Sequence, residues 1–190
     1  MKTLILYLSH DGFTQKIAGV IATYLADQCE CNVVDLCRAR EHDLQAYQRV
    51  VIGASIRYGH FAAELDRFIH KQLNWLICIP SAFYSVNLTA RKADKCTPAT
   101  NVYTRKFLAK TAWRPDLCAV FAGALRYPCY HWFDCLMIQL VMLMTGGETD
   151  CSKEVEYTDW QQVFAFARKL TKLTKNVQCN MVKTPFFKNN

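Results

Sequence analysis

Short apolar runs alternate with amphipathic stretches along most of the chain. Leu4–Leu8 is continuously apolar, as a strand buried on both faces should be. Ile17, Val20, Ile21, Tyr24 and Leu25 then recur at helical spacing. Val33–Leu36 reads as a second strand and Val50–Ala54 as a third. Leu65, Phe68, Ile69 and Leu73 mark the next helix, and Ala82–Val86 a fourth strand. Tyr103, Phe107 and Leu108 predict a helix that stops before Arg114-Pro115. Cys118–Gly123 is a fifth strand, and Trp160, Val163, Phe164, Ala167 and Leu170 share the face of a last helix. This order predicts an α/β fold, a five-stranded parallel sheet with helices on both faces. Ligands in such sheets sit beyond the carboxyl ends of the strands. Attention therefore falls on the loops after Leu8, Ala54, Val86 and Gly123.

One segment breaks the alternation. About twenty residues, roughly 126–147, separate the fifth strand from the chain leading to the last helix, far more than the usual 2–6. From Trp132 to Met144 they read as a helix that is apolar nearly all round. At ~20 Å such a helix is too short to span a bilayer. It suits packing on its own domain, lining a pocket, dipping into one leaflet or burial in a partner. Residues 1–175 thus form one domain with a helical insertion, and 176–190 lose the helical period and are expected to form a mobile tail.

The chain has 190 residues, 52% of them hydrophobic, enough for a sizeable core. Its net charge of +7 is unevenly placed, with eight Lys and Arg against two Asp and Glu in residues 91–126. That block is either a solvated face or the footprint of an anionic partner. No leader pattern opens the chain, which predicts a protein that is cytoplasmic or faces the cytoplasm. The ten cysteines show no C-x-x-C pair and no zinc-site spacing, so they read as structural rather than metal ligands. A redox-active Cys29/Cys31 pair is the sharper, less favoured reading.

Candidate chemistry begins at Ser9, Asp11, Gly12 and Thr14, between a buried strand and a helix. Hydroxyls and free N–H groups at a helix start can hold a phosphate; Ser9 or Asp11 could equally be an ordinary helix cap. Neither a Walker loop nor a dinucleotide fingerprint is present.

S-x-D-G-x-T after the first strand resembles the FMN-phosphate loop of flavodoxins. Further along stand V-I-G-A-S-I-R-Y-G-H (Val51–His60), S-A-F-Y-S-V-N-L (Ser81–Leu88), A-R-K (Ala90–Lys92), W-R-P-D (Trp113–Asp116), G-A-L-R-Y-P (Gly123–Pro128) and G-G-E-T-D (Gly146–Asp150). Together, and over about Met1 to Lys175, they resemble the flavodoxin-like, quinone-dependent protoporphyrinogen dehydrogenases of bacterial haem synthesis. The resemblance implies bound FMN, oxidation of protoporphyrinogen IX to protoporphyrin IX, and electron transfer to a membrane quinone, ubiquinone or menaquinone. It implies cofactor contacts from Ser9, His10, Asp11, Gly12, Phe13 and Thr14, from Ser55, Ile56, Arg57, Tyr58 and Gly59, and from Ser85, Val86, Asn87 and Leu88. Tyr58 can cover one face of the flavin by stacking. Arg91, Lys92 and Arg126 are the expected substrate cations, since the porphyrinogen carries two propionates. No catalytic side chain and no metal is required, because the cofactor carries the chemistry.

The same resemblance implies a peripheral protein on the cytoplasmic face of the bacterial inner membrane, with Tyr130, Trp132, Phe133, Leu136 and Leu140 touching lipid or quinone. Here the chain departs from the family's expected pattern. Residues 127–145 contain no Lys or Arg; Cys129, His131, Cys135, Gln139 and Leu143 stand where basic residues are expected. Attraction to anionic lipid is weakened accordingly. A flavodoxin-type electron carrier and an NAD(P)H:quinone reductase are the rival readings, and a net charge of +7 speaks against the usually acidic carriers. No nucleic-acid recognition motif is present, so nucleic acid is not an expected partner. A homo-oligomer is left open.

Overall fold

The computed structural model describes residues 1–126, 135, 136, 138, 139, 142, 143, 150, 152 and 154–174. Five strands pair in parallel: β1 (Lys2–Leu8), β2 (Glu30–Asp35), β3 (Arg49–Arg57), β5 (Ser81–Val86) and β6 (Leu117–Phe121). Their order is β2-β1-β3-β5-β6, so the sheet reverses direction of growth at β1/β3. That is the doubly wound flavodoxin-like arrangement, whose ligand crevice lies at the reversal.

Alternate residues of the strands point to opposite faces and build two cores. Leu4, Leu6, Val50, Ile52 and Phe83 pack under α2 (Ala63–Cys78) and α3 (Val102–Lys110) through Leu65, Ile69, Leu76 and Phe107. Ile5, Val51, Ala82 and Tyr84 pack under α1 (Phe13–Leu25) and α4 (Trp160–Thr171) through Ile17, Ile21, Val163, Phe166 and Leu170. Helix α4 starts where it does because the Asp159 carboxylate accepts from the N–H groups of Gln161 and Gln162 at 2.9 and 3.3 Å.

Three features go beyond the sequence expectation. Strand β3 continues three residues past Ala54 and folds back as a hairpin onto β4 (His60–Phe61), with Ile56 opposite Phe61 and Arg57 opposite His60. Helix α2 runs five residues past Leu73. The insertion is closed at its base by an antiparallel ribbon of β7 (Ala124–Arg126) and β8 (Glu154–Glu156), with Leu125 opposite Val155. Within it, Cys135, Leu136, Ile138, Gln139, Met142 and Leu143 are helical, and Met142 is buried against Leu125. Tyr130, Trp132, Phe133, Leu140 and the tail 176–190 lie outside the described residues. Among the described residues no helix is long and apolar enough to cross a membrane.

Candidate flavin site

A cleft of about 200 Å³ opens at the carboxyl ends of β1, β3 and β5. Its first wall is the loop entering α1. Gly12 precedes the helix with a left-handed φ of 74°, and no side chain caps the helix start. The first-turn N–H groups are therefore left to an anion. Thr14 in that turn is fully buried, and its Oγ1 has no hydrogen-bond partner. Ser9, His10, Asp11, Phe13 and Thr14 line the cleft. The turn is held from behind: the Tyr84 hydroxyl donates to the Thr14 carbonyl at 3.0 Å. Burial pushes the Tyr84 phenol up, so it stays a donor.

The second wall is the β3–β4 hairpin, contributing Ser55, Ile56, Arg57, Tyr58 and Gly59. Its two-residue turn puts Tyr58 at φ 50° and Gly59 at φ 79°, the paired positive φ values that suit a tight hairpin. The Arg57 guanidinium sits 5.4 Å from the centroid of the Tyr58 ring, and Tyr58 is 64% exposed. A positive φ is strained for a bulky aromatic residue. Tyr58→Asn should therefore raise the melting temperature of the flavin-free protein, by the equivalent of about 1 kcal/mol. The same variant should weaken flavin binding about tenfold by removing the ring's stacking surface. Thermal melts and a fluorescence titration read the two opposed effects separately.

The third wall is Val86, Asn87, Leu88 and Thr89, with Tyr103 behind. Asn87 is 6% exposed. Its Oδ1 accepts from the Thr89 hydroxyl at 2.6 Å, the Ala90 N–H at 3.2 Å and the Asn101 amide at 3.1 Å. Asn101 in turn accepts from the Thr104 N–H and hydroxyl at 3.2 and 3.1 Å. The Asn87 oxygen is saturated, whereas its Nδ2 has no partner. Gly123 and Ala124 at the root of the insertion, and Ile138 within it, complete the lining. The root is tied to α1: Lys16 Nζ meets the Glu156 carboxylate at 2.8 Å, and Trp160 Nε1 donates to the same group at 2.6 Å.

Most of the expected cofactor residues thus converge, while Gly12 and Ser85 are not on the wall. The Ser85 hydroxyl is buried and shares a hydrogen bond of 2.7 Å with Thr104. Arg91 and Lys92 lie outside the lining. Arg91 donates to the Leu88 carbonyl at 3.1 Å and lies 6.0 Å from the centroid of the Tyr157 ring. Arg126 is a β7 residue. Thr89, Tyr103, Gly123, Ala124 and Ile138 also line the cleft; none is among the expected contact residues, although the loop after Gly123 is expected to face the crevice and G-A-L-R-Y-P is one of the resembling stretches. Among the described residues no group of acidic, His and Cys side chains could hold a metal.

Two buried, unpartnered donors in one cleft suit a long ligand with an anion near α1 and an acceptor near Asn87. This fits a flavin whose anionic end lies at the start of α1. The chain matches the family model for a flavodoxin domain over residues 4–152. It resembles the fold of a short-chain flavodoxin associated with a bacterial microcompartment: TM-score 0.51, 11% identity, covering 90% of this chain and 97% of that one. It is 54% identical over 175 residues to the protoporphyrinogen IX dehydrogenase [quinone] of Escherichia coli (strain K12), covering 92% of this chain and 97% of the relative. It is 48% identical over 190 residues to the protein of that name from Leishmania major, covering 97% of this chain and 82% of the relative. Fold and site define a flavin protein of the flavodoxin class. Within that class, the chain belongs to the quinone-dependent protoporphyrinogen IX dehydrogenase family.

Proposed function

We propose that the protein binds FMN in this cleft and oxidises protoporphyrinogen IX to protoporphyrin IX, with a quinone as electron acceptor. The carrying observation is the pair of buried donors, Thr14 Oγ1 and Asn87 Nδ2, on opposite walls of one cleft. A bound flavin supplies reversible two-electron chemistry. The chain's own residues bind and orient it. The uncapped start of α1 would hold the phosphate, the Asn87 amide would donate to an acceptor on the ring, and Tyr58 would offer a stacking surface. Arg91, beside the Leu88 rim, supplies positive charge for a propionate of the substrate. Arg91→Ala should raise the KM for the porphyrinogen about tenfold while the flavin affinity stays the same. A steady-state assay paired with a flavin titration checks both halves.

The reaction is assigned to the cytoplasmic face of a quinone-bearing membrane. Support comes from Leu136 and Leu143, both helical residues and 57% and 71% exposed; such exposed apolar side chains can enter a leaflet. Leu136→Glu with Leu143→Glu should release the protein from sedimenting vesicles without altering its flavin spectrum. The test of the whole reading is anaerobic. A yellow protein should bleach on adding protoporphyrinogen IX and recover its colour with quinone as porphyrin fluorescence rises. Bleaching by NAD(P)H but not by the porphyrinogen would make it a nicotinamide-dependent reductase instead.

A further inference from the structure

At the end of the sheet remote from the cleft, the turn from α1 into β2 brings Cys29 and Cys31 together, their sulfurs 3.6 Å apart. Beside them lies Arg49, the first residue of β3 and only 1% exposed. Its guanidinium donates to the Thr3 hydroxyl at 3.1 and 2.9 Å, to the Leu170 carbonyl, and to the Cys29 sulfur at 3.2 Å. Among the described residues no carboxylate forms a salt bridge with it. A buried cation lacking a counter-charge is costly, and the Cys29 sulfur, within hydrogen-bond distance of the guanidinium, can carry negative charge. The reactive form of cysteine is the thiolate. The Thr3 hydroxyl lies 3.5 Å from the same sulfur, and the Cys29 thiol donates to the Leu25 carbonyl at 3.6 Å.

We propose that Cys29 and Cys31 form a dithiol site that a hydroperoxide converts to an intramolecular disulfide, with Arg49 stabilising the attacking Cys29 sulfur. The Cys29 sulfur attacks the terminal peroxide oxygen and the O–O bond breaks. Cys29 becomes a sulfenic acid, and the departing oxygen takes up the proton that Cys29 gave up. The Cys31 sulfur then attacks Cys29; the sulfenic hydroxyl leaves with the Cys31 proton as water, and the S–S bond forms. Two thiols are oxidised and one peroxide bond is reduced. Burial, then the adjoining Cys29 sulfur, pushes the Cys31 thiol up, so Cys31 is not the sulfur that attacks first. The sulfurs must close by about 1.5 Å to bonding distance. Cys31 is partly exposed and Cys29 keeps 6% exposure.

The site is independent of the flavin cleft and is tested on the flavin-loaded, full-length protein with hydrogen peroxide alone. After brief exposure, free thiols are alkylated and peptides weighed. The expected result is a peptide lighter by two hydrogens and unalkylated at Cys29 and Cys31. It should form at least about tenfold faster than oxidation of the more exposed Cys37 and Cys78. In Cys31→Ser, the reaction should stop at a Cys29 sulfenic acid that dimedone traps. Arg49→Lys should slow dimedone labelling in that background, and an unslowed rate would remove Arg49 from the reaction. Cys37 and Cys78 oxidising first, with Cys29 and Cys31 still open to alkylation, would overturn the proposal.

Discussion

Asn87→Asp should leave the fold in place and strip the protein of its flavin, lowering the affinity about 100-fold, or about 2.7 kcal/mol. The substitution is isosteric and keeps the acceptor that Thr89, Ala90 and Asn101 address at 2.6, 3.2 and 3.1 Å. What changes is the other branch of the side chain, where an unpartnered N–H donor becomes a carboxylate oxygen. A lost hydrogen bond in a buried setting accounts for about 1–3 kcal/mol. An acceptor facing an acceptor, and a negative charge beside a ring that gains negative charge on reduction, add to it. The reduced state should suffer more than the oxidised one, so whatever flavin binds should show a lowered midpoint potential. Melting of the flavin-free variant reports the network, and titration with FMN reports the donor. Unchanged affinity and potential would mean that Asn87 does not face the ring.

That donor shows where sequence reading ends. The strand-end rule brought Asn87 into view, because Ala82–Val86 reads as a strand and the loop after it must face the crevice. Which way the amide points is set by Asn101, fourteen residues on at the start of α3, and no local pattern encodes that pairing. Tyr103 was legible only as one apolar position of a helix face, since its approach to Gly59 depends on how α3 docks. The ribbon of Ala124–Arg126 with Glu154–Glu156 joins three-residue segments across the whole insertion; strands so short carry too few positions to reveal a period. The hairpin at Tyr58-Gly59 was hidden by Ser55, which interrupts the apolar run while its hydroxyl donates to the Leu8 carbonyl at 3.3 Å. By contrast, β1 and β3 were readable because burial on both faces leaves the unbroken apolar runs Leu4–Leu8 and Val50–Ala54.

Gly53→Ala should destabilise the protein by about 3 kcal/mol, near the upper end for overpacking a core, and weaken flavin binding as well. Gly53 lies directly opposite Tyr84 in the β3–β5 register, and the Tyr84 ring covers the space that a Cβ at Gly53 would occupy. The ring has little room to retreat, since Phe121 and Phe166 stand with centroids 5.6 and 6.1 Å away. Moving it also withdraws the hydroxyl from the Thr14 carbonyl, so a core substitution reaches the first turn of α1, where the phosphate is expected to sit. A fall in melting temperature of roughly 6–12 °C follows for a domain of this size. Tyr84→Phe separates the two effects. It removes only the hydroxyl, with no steric clash, and should lower stability by about 1 kcal/mol while loosening the helix start enough to weaken the flavin severalfold. In Gly53→Ala with Tyr84→Leu the added methyl has space, and much of the stability should return while the flavin stays weakly held, because the Thr14 carbonyl still lacks its donor. A Gly53→Ala protein that melts with the parent would show that the Tyr84 ring does not lie over this glycine.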